Sequence, residues 1–160
     1  MPATAPPTVG KKVADFSAAA TGGAPFRLKL ALQTGRALVV YFYPKDMTSG
    51  CTTESIAFSE LHAAFRKAGA EVVGVSPDSL ASHEKFKTKH SFPFELLADE
   101  DKTLCQRFAV WKEKSMYGKK YMGVERSTFL IDADGVLRQE WRKVKVDGHA
   151  ALVLAAVKAL

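Results

Sequence analysis

Apolar positions change rhythm several times along this chain of 160 residues. Arg36-Ala37-Leu38-Val39-Val40-Tyr41-Phe42-Tyr43 is almost continuously apolar, rich in β-branched and aromatic side chains, and stops at Pro44. That run predicts a strand buried on both faces. From Thr52 the period lengthens. Phe58, Leu61, Phe65 and Ala68 recur at helical spacing and give one apolar face, which Gly69 closes. Glu71 to Ser76 is the next buried strand, and Ser79 to His90 a helix capped by Ser79 or Ser82. Phe94 to Leu97 is a short strand. Asp99, Glu100 and Asp101 then open a helix running to about Phe108, where their charge suits an N-terminus. Residues 112–123 read as a basic, glycine-containing loop. Arg126 to Asp132 and Val136 to Val144 are strands joined by Ala133-Asp134-Gly135, a hairpin signal. Ala150 to Leu160 is a closing amphipathic helix. In front of all this, Val13 to Ala18 and Pro25 to Leu28 flank Gly22-Gly23 as a short pair of strands.

The order is β-α-β-α-β-α-β-β-α behind a small β unit. Buried βαβ units imply a central sheet with helices on both faces, and the late hairpin makes that sheet mixed. The class is α/β and the outline thioredoxin-like, with a short N-terminal β-hairpin extension. The length fits one domain over residues 9–160 behind a flexible lead-in of residues 1–8.

Composition narrows the function. Apolar residues at 47% and charged residues at 25% are ordinary for a soluble protein. No apolar run approaches the ~20 residues of a membrane span. The start, Met1-Pro2-Ala3-Thr4-Ala5-Pro6-Pro7, has no basic segment followed by an apolar block, so the expectation is a cytoplasmic protein with no membrane partner. The net charge of +6 gathers at Lys112, Lys114, Lys119 and Lys120 and again at Arg138, Arg142, Lys143 and Lys145. No nucleic-acid motif accompanies it, so it reads as solvated surface, with no nucleic-acid partner expected. Two cysteines without a Cys-x-x-Cys, and four histidines without ligand spacing, predict no metal and no cofactor.

Chemistry concentrates at Cys51. It follows the strand, Pro44 and a short polar loop, at the point where a helix begins. Free N–H groups and the positive end of a helix macrodipole favour the thiolate there. A cysteine by itself is more often a small buried hydrophobe. Its neighbours decide the reading.

Pro44-x-x-x-Thr48-x-x-Cys51 resembles the Pro-x-x-x-Thr/Ser-x-x-Cys signature of the peroxiredoxins. Phe42-Tyr43-Pro44-Lys45-Asp46, Gly50-Cys51-Thr52-Thr53-Glu54 and Gly74-Val75-Ser76-Pro77-Asp78-Ser79 with His83 and Phe86 resemble the PrxQ, or bacterioferritin-comigratory-protein, subfamily. Leu96-Leu97-Ala98-Asp99, Phe108-Ala109-Val110-Trp111 and Gly123-Val124-Glu125-Arg126-Ser127-Thr128-Phe129-Leu130-Ile131-Asp132 do the same, so the likeness runs from about residue 10 to the end. The resemblance implies a thiol-dependent peroxidase acting on hydrogen peroxide and organic hydroperoxides in antioxidant defence. Cys51 would attack the peroxide, Thr48 and Arg126 would be its partners, and Pro44 would shield the pocket. Backbone N–H groups around Gly50 would meet the developing oxygen charge. Glu54 would orient Arg126 or serve only as a first-turn carboxylate.

Three positions depart from the subfamily. Ile56 stands where many members carry a resolving cysteine, and Met47 and Ser49 stand where Asn and Pro are frequent. The expectation is a one-cysteine cycle in which an external thiol (thioredoxin, a glutaredoxin system or glutathione) reduces the Cys51 sulfenic acid, in a monomer or weak homodimer. Cys105 is the internal alternative as resolving cysteine, or else a core residue. A non-catalytic thioredoxin-fold binding protein or holdase is the reading from another class.

Overall fold

The computed structural model describes residues 6–160; the first part of the expected lead-in, residues 1–5, lies outside them. A seven-stranded sheet forms the centre, in the order β2 (Phe26–Arg27), β1 (Ser17–Ala20), β5 (Glu95–Ala98), β4 (Ala70–Ser76), β3 (Ala37–Phe42), β8 (Ser127–Ile131) and β9 (Leu137–Trp141). β3, β4 and β5 run parallel. β8 lies antiparallel against β3, and β9 antiparallel against β8. At the other edge the N-terminal pair, β1 and β2, adds antiparallel to β5. The expected mixed sheet and hairpin extension are therefore present.

All six residues of β3 are buried, and they alternate between two cores, as the pleat requires. Leu38, Val40 and Phe42 face a core that also holds Phe16, Leu104, Cys105, Phe108 and Phe129. Ala37, Val39 and Tyr41 face the other, with Cys51, Phe58, Phe65, Phe86 and Val153. The second core is covered by α2 (Ser49–Glu60), α3 (His62–Lys67), α4 (Leu80–His90) and α6 (His149–Lys158). The first is covered by α1 (Leu28–Leu32) and α5 (Thr103–Arg107).

Several boundaries differ from the sequence reading, each for a local reason. The helix expected from Thr52 to Gly69 is two, broken at Leu61, whose φ of −95° and ψ of 0° leave the helical region. It also begins earlier, at Ser49, so Cys51 lies inside the first turn. The helix expected from Asp99 shrinks to α5 because the Asp99 carboxylate accepts the N–H groups of Leu104 and Cys105, capping it from a distance. α1 was not expected at all. The largest correction concerns the basic loop, which is a two-stranded hairpin, β6 (Trp111–Met116) and β7 (Lys119–Val124), forming a sheet of its own. Its strands are mostly exposed and carry lysines on both faces, so they show no apolar alternation; the turn at Tyr117-Gly118 closes them, where both φ values are positive.

Candidate active site

The site forms at the carboxyl end of β3, in the crevice where ligands of open α/β sheets bind. Tyr43 leaves the strand, Pro44 to Thr48 cross the sheet end, and α2 begins with Thr48 as its N-cap residue. The first intrahelical bond is from Thr52 N–H to Thr48 C=O at 2.9 Å. The N–H groups of Ser49, Gly50 and Cys51 consequently have no carbonyl one turn back to bond to. Cys51 is nearly enclosed, with 1% of its surface exposed.

Arg126 arrives from the residue before β8 and connects two groups of α2. Its Nη2 donates to Cys51 Sγ at 3.3 Å and its Nη1 to Glu54 Oε1 at 2.7 Å. One planar fork thus fixes sulfur and carboxylate together, a geometry that an ammonium cannot reproduce. Gly50 lies directly under the fork: a Cβ there would sit in van der Waals contact with Nη2 at 3.4 Å. Glu54 is buried, and its Oε2 finds no partner. Burial pushes this carboxyl up to about 7, against the opposing pull of Arg126. The neighbouring carboxylate and sulfur raise Arg126 against the effect of its own burial, so it stays a cation.

Thr48 is placed differently from the expectation. Its hydroxyl donates to Lys45 C=O at 2.8 Å, not to the sulfur. The hydrogen is committed, so the oxygen is left with lone pairs and can only accept, for instance from a hydroperoxide O–H. Pro44 is half-buried beside the loop. Ile56, at the position where a resolving cysteine was looked for, packs against the core. Cys105 is buried in the core on the opposite face of the sheet from Cys51. Burial, and then the Asp99 carboxylate, push its thiol far up.

One set of residues escaped the sequence reading. Asp46, buried in the loop before Thr48, accepts from Tyr43 Oη at 2.6 Å, Ser82 Oγ at 2.8 Å and His83 Nδ1 at 2.7 Å. Leu97 C=O can only accept, so His83 Nε2, 2.8 Å away, carries a hydrogen. The Asp46 N–H donates to Asp78 at 2.8 Å. Four elements therefore meet at Asp46: the end of β3, the turn after β4, α4 and β5. Asp46, Asp78 and His83 offer ligand-type atoms within 4.8 Å of one another. The Asp46 oxygens and both His83 nitrogens are already turned to protein partners, so the cluster serves as a tie between elements. The signal was Asp46 itself, an acidic residue directly after an apolar strand and a proline.

A sulfur, a guanidinium, unbonded N–H groups and an accepting hydroxyl at one helix start suit displacement at oxygen. The AhpC/TSA family model matches residues 9–140. The chain belongs to the AhpC/TSA family. The Bacillus subtilis protein peroxiredoxin Bcp is 49% identical over 150 residues, 94% of each chain. A structure of the Xanthomonas campestris bacterioferritin comigratory protein, solved as a trapped intermediate/ligand complex bearing on alkyl peroxide reduction, is 51% identical over 90% of each chain, with a TM-score of 0.84. A PrxQ mutant from Xylella fastidiosa is 41% identical over 96% of each chain, with a TM-score of 0.89. The fold is the thioredoxin-like one of these peroxiredoxins, and the activity is that of a thiol peroxidase. Among the described residues, no helix is long and apolar enough to cross a membrane.

Proposed function

We propose that Cys51 is the attacking residue of a one-cysteine peroxidase cycle, in which an external thiol restores it. The Cys51 thiolate attacks the hydroxyl-bearing oxygen of a hydroperoxide, the O–O bond breaks, and the electron pair leaves with the alkoxide. The sulfur is then a sulfenic acid, and the alkoxide takes a proton from solvent. Arg126 holds the sulfur and faces the oxygen that gains charge. The Gly50 and Cys51 N–H groups supply further donors for that charge, and Thr48 accepts the peroxide hydrogen. Each such preplaced donor is worth about 100- to 1,000-fold in rate. Glu54 is the positioning residue for Arg126, and Pro44, without an N–H, walls off water without competing for the sulfur. Hydrogen peroxide and alkyl hydroperoxides are the substrate class; alkyl peroxide reduction is the activity named for the X. campestris relative.

The observation that carries the one-cysteine reading is the sheet between the two cysteines. Cys51 and Cys105 lie in separate cores on opposite faces of β3. A disulfide needs Cα atoms within about 7 Å, so the start of α2 or the short helix α5 would have to unfold locally and leave its own core. A first thiol therefore condenses with the sulfenic acid to give a mixed disulfide and water. A second thiol releases Cys51 and leaves as an external disulfide. Thioredoxin is the reductant best matched to this chemistry, and a thiol-rich compartment such as the cytoplasm is the setting, in line with antioxidant defence.

The test is mass spectrometry after one equivalent of peroxide, with turnover of Cys105→Ser. Expected are a sulfenic acid trapped on Cys51 by dimedone and full turnover of the variant. An intramolecular Cys51–Cys105 disulfide would overturn the proposal.

A further inference from the structure

We propose that one face of the β6–β7 hairpin is the docking surface for the external reductant, and that this reductant is an acidic protein dithiol. The inference rests on the one-cysteine reading. The register pairs Lys112 with Gly123, Lys114 with Tyr121 and Met116 with Lys119. Directly paired residues share a face of a two-stranded ribbon, and alternate pairs share it too. One face therefore carries Lys112, Lys114 and Lys119 with Met116 and Tyr121, and no acid. The acid of the hairpin, Glu113, is on the opposite face, where it faces Lys120 at 3.7 Å.

Lys114 roots this face in the hairpin, half-buried where Lys112 and Lys119 are exposed. The Lys114 stem crosses Gly123, where a Cβ would lie 3.4 Å from Lys114 Cδ. Its ammonium is partly desolvated and feels the charges of Arg126 and Cys51. The hairpin base is tied in by Glu125 N–H to Val110 C=O at 2.7 Å, one residue from Arg126.

Its far end contributes nothing to the domain's own packing. Tyr117 is 99% exposed and held at a φ of +51°, which costs an aromatic residue roughly 1–2 kcal/mol. Met116 and Tyr121 are also exposed, and with Tyr117, Lys119 and Lys120 they line a shallow depression. A tight hairpin turn asks for left-handed backbone at its first central residue, where glycine or asparagine would cost less, so a fully exposed tyrosine in that place offers apolar area to a partner. Tyrosine and methionine supply the contact area favoured in interface centres. Lysines on the same face, in a chain of net charge +6, select an acidic partner and speed its encounter.

The experiment compares the wild type with Lys112→Glu/Lys119→Glu and with Tyr117→Ser. Neither variant touches Arg126, Glu54 or the α2 start. Three rates are read: Cys51 oxidation by hydrogen peroxide alone, turnover with dithiothreitol, and turnover with an acidic thioredoxin kept reduced by its reductase. Expected for the charge variant is a fall of at least about tenfold in kcat/KM for thioredoxin. Peroxide oxidation and dithiothreitol turnover should stay within about twofold. The wild-type thioredoxin rate should fall with added salt, and the variant rate should not. Tyr117→Ser should lower the thioredoxin rate alone.

Equal losses with dithiothreitol and thioredoxin would overturn the proposal, because the hairpin would then serve the peroxide pocket itself. Unchanged thioredoxin rates would overturn it too. So would a wild type that turns over with dithiothreitol but not with thioredoxin. Wild-type retention on duplex DNA, lost in the charge variant with thioredoxin rates unchanged, would replace it with a nucleic-acid surface. Failure of the underlying one-cysteine reading looks different: peroxide alone would yield a Cys51–Cys105 disulfide, whatever the hairpin variants do.

Discussion

Glu54→Gln keeps the shape of a buried side chain and removes its charge, so it isolates what that charge costs. The wild-type carboxylate is 1% exposed, bonded through Oε1 to Arg126 and unpartnered at Oε2. Arg126 offsets part of the burial cost and not all of it, so the carboxyl titrates near 7 in the fold against 4.5 when free. The difference, 7 − 4.5 or about 2.5, corresponds to about 3 kcal/mol at ~1.4 kcal/mol per unit. Its sign follows from the folded state binding the proton more tightly. Glu54 contributes stability below pH 4.5 and loses it as the pH rises through 7. His149 acts in the opposite sense over much of the same range. Burial, and then the Arg126 charge, lower its imidazole from 6.5 to about 4, so its contribution is present above pH 6.5 and is lost as the pH falls through 4. In the wild type the two slopes oppose each other. In Glu54→Gln the carboxylate slope is gone, and stability should climb with pH. Urea unfolding followed by circular dichroism, in a Cys51→Ser background that removes the oxidisable thiol, measures both proteins between about pH 4.5 and 8. The variant should gain on the wild type by about 3 kcal/mol across that interval. The glutamine amide leaves a buried group unpaired at every pH, an offset that cancels from this difference. Parallel curves would refute the reasoning, because Glu54 would then titrate alike in folded and unfolded chains.

Arg126→Lys should lower kcat/KM for peroxide by about 100-fold in stopped-flow oxidation, since one ammonium cannot hold both Glu54 and Cys51; a loss below about threefold would count against the fork. Asp46→Ala strips Tyr43, Ser82 and His83 of a shared buried acceptor and should cost about 3–5 kcal/mol in urea unfolding. A cost under about 1 kcal/mol would show that the tie is dispensable. Met47→Asn should stabilise by about 1 kcal/mol, because Met47 sits at a φ of +66°, which asparagine tolerates better; an unchanged midpoint would contradict that.

Sequence pattern made the central strands legible because β3 is an unbroken apolar run, and β4 and β8, buried on both faces, carry compact apolar cores in Val72-Val73-Gly74-Val75 and Phe129-Leu130-Ile131. It failed where the pattern is set by something other than a core. The β6–β7 hairpin offers most of its surface to solvent, with lysines, methionine and tyrosine sharing one face, so no apolar–polar alternation marks its strands. Helix α5 was lengthened in the reading because Asp99 looks like a first-turn acid, whereas it caps the helix from outside. At the site, the motif placed Cys51, Gly50 and Thr48 near one another, since they are neighbours in the chain. That Arg126 would reach Glu54 and Cys51 together depends on β8 lying beside β3, a pairing of residues far apart in sequence. The Asp46 tie was invisible for the same reason, because its partners come from three other segments. Thr48 shows the reverse limit: spacing put the hydroxyl near the thiol, and only the loop's own closure on Lys45 turned it away.

The departures at Met47 and Ser49 bear on the step that a one-cysteine cycle leaves hardest. An external thiol has to meet a sulfur that is 1% exposed. The loop ahead of it is firmly anchored as far as Asp46 and weakly anchored beyond it. Up to Asp46, carboxylate and backbone bonds tie it to Tyr43, Ser82, His83 and Asp78. After Asp46, Met47 occupies left-handed backbone space without the asparagine that suits it. Thr48, the N-cap residue, spends its hydroxyl on Lys45 and caps nothing. Ser49 fills the first helical position, where proline would have fixed φ in advance. Each change removes stiffness from the first turn of α2 and none touches the Asp46 anchor. The firm half holds the end of β3 and the start of the loop in place. The loose half is the part that has to yield when a second sulfur comes to take the oxygen away.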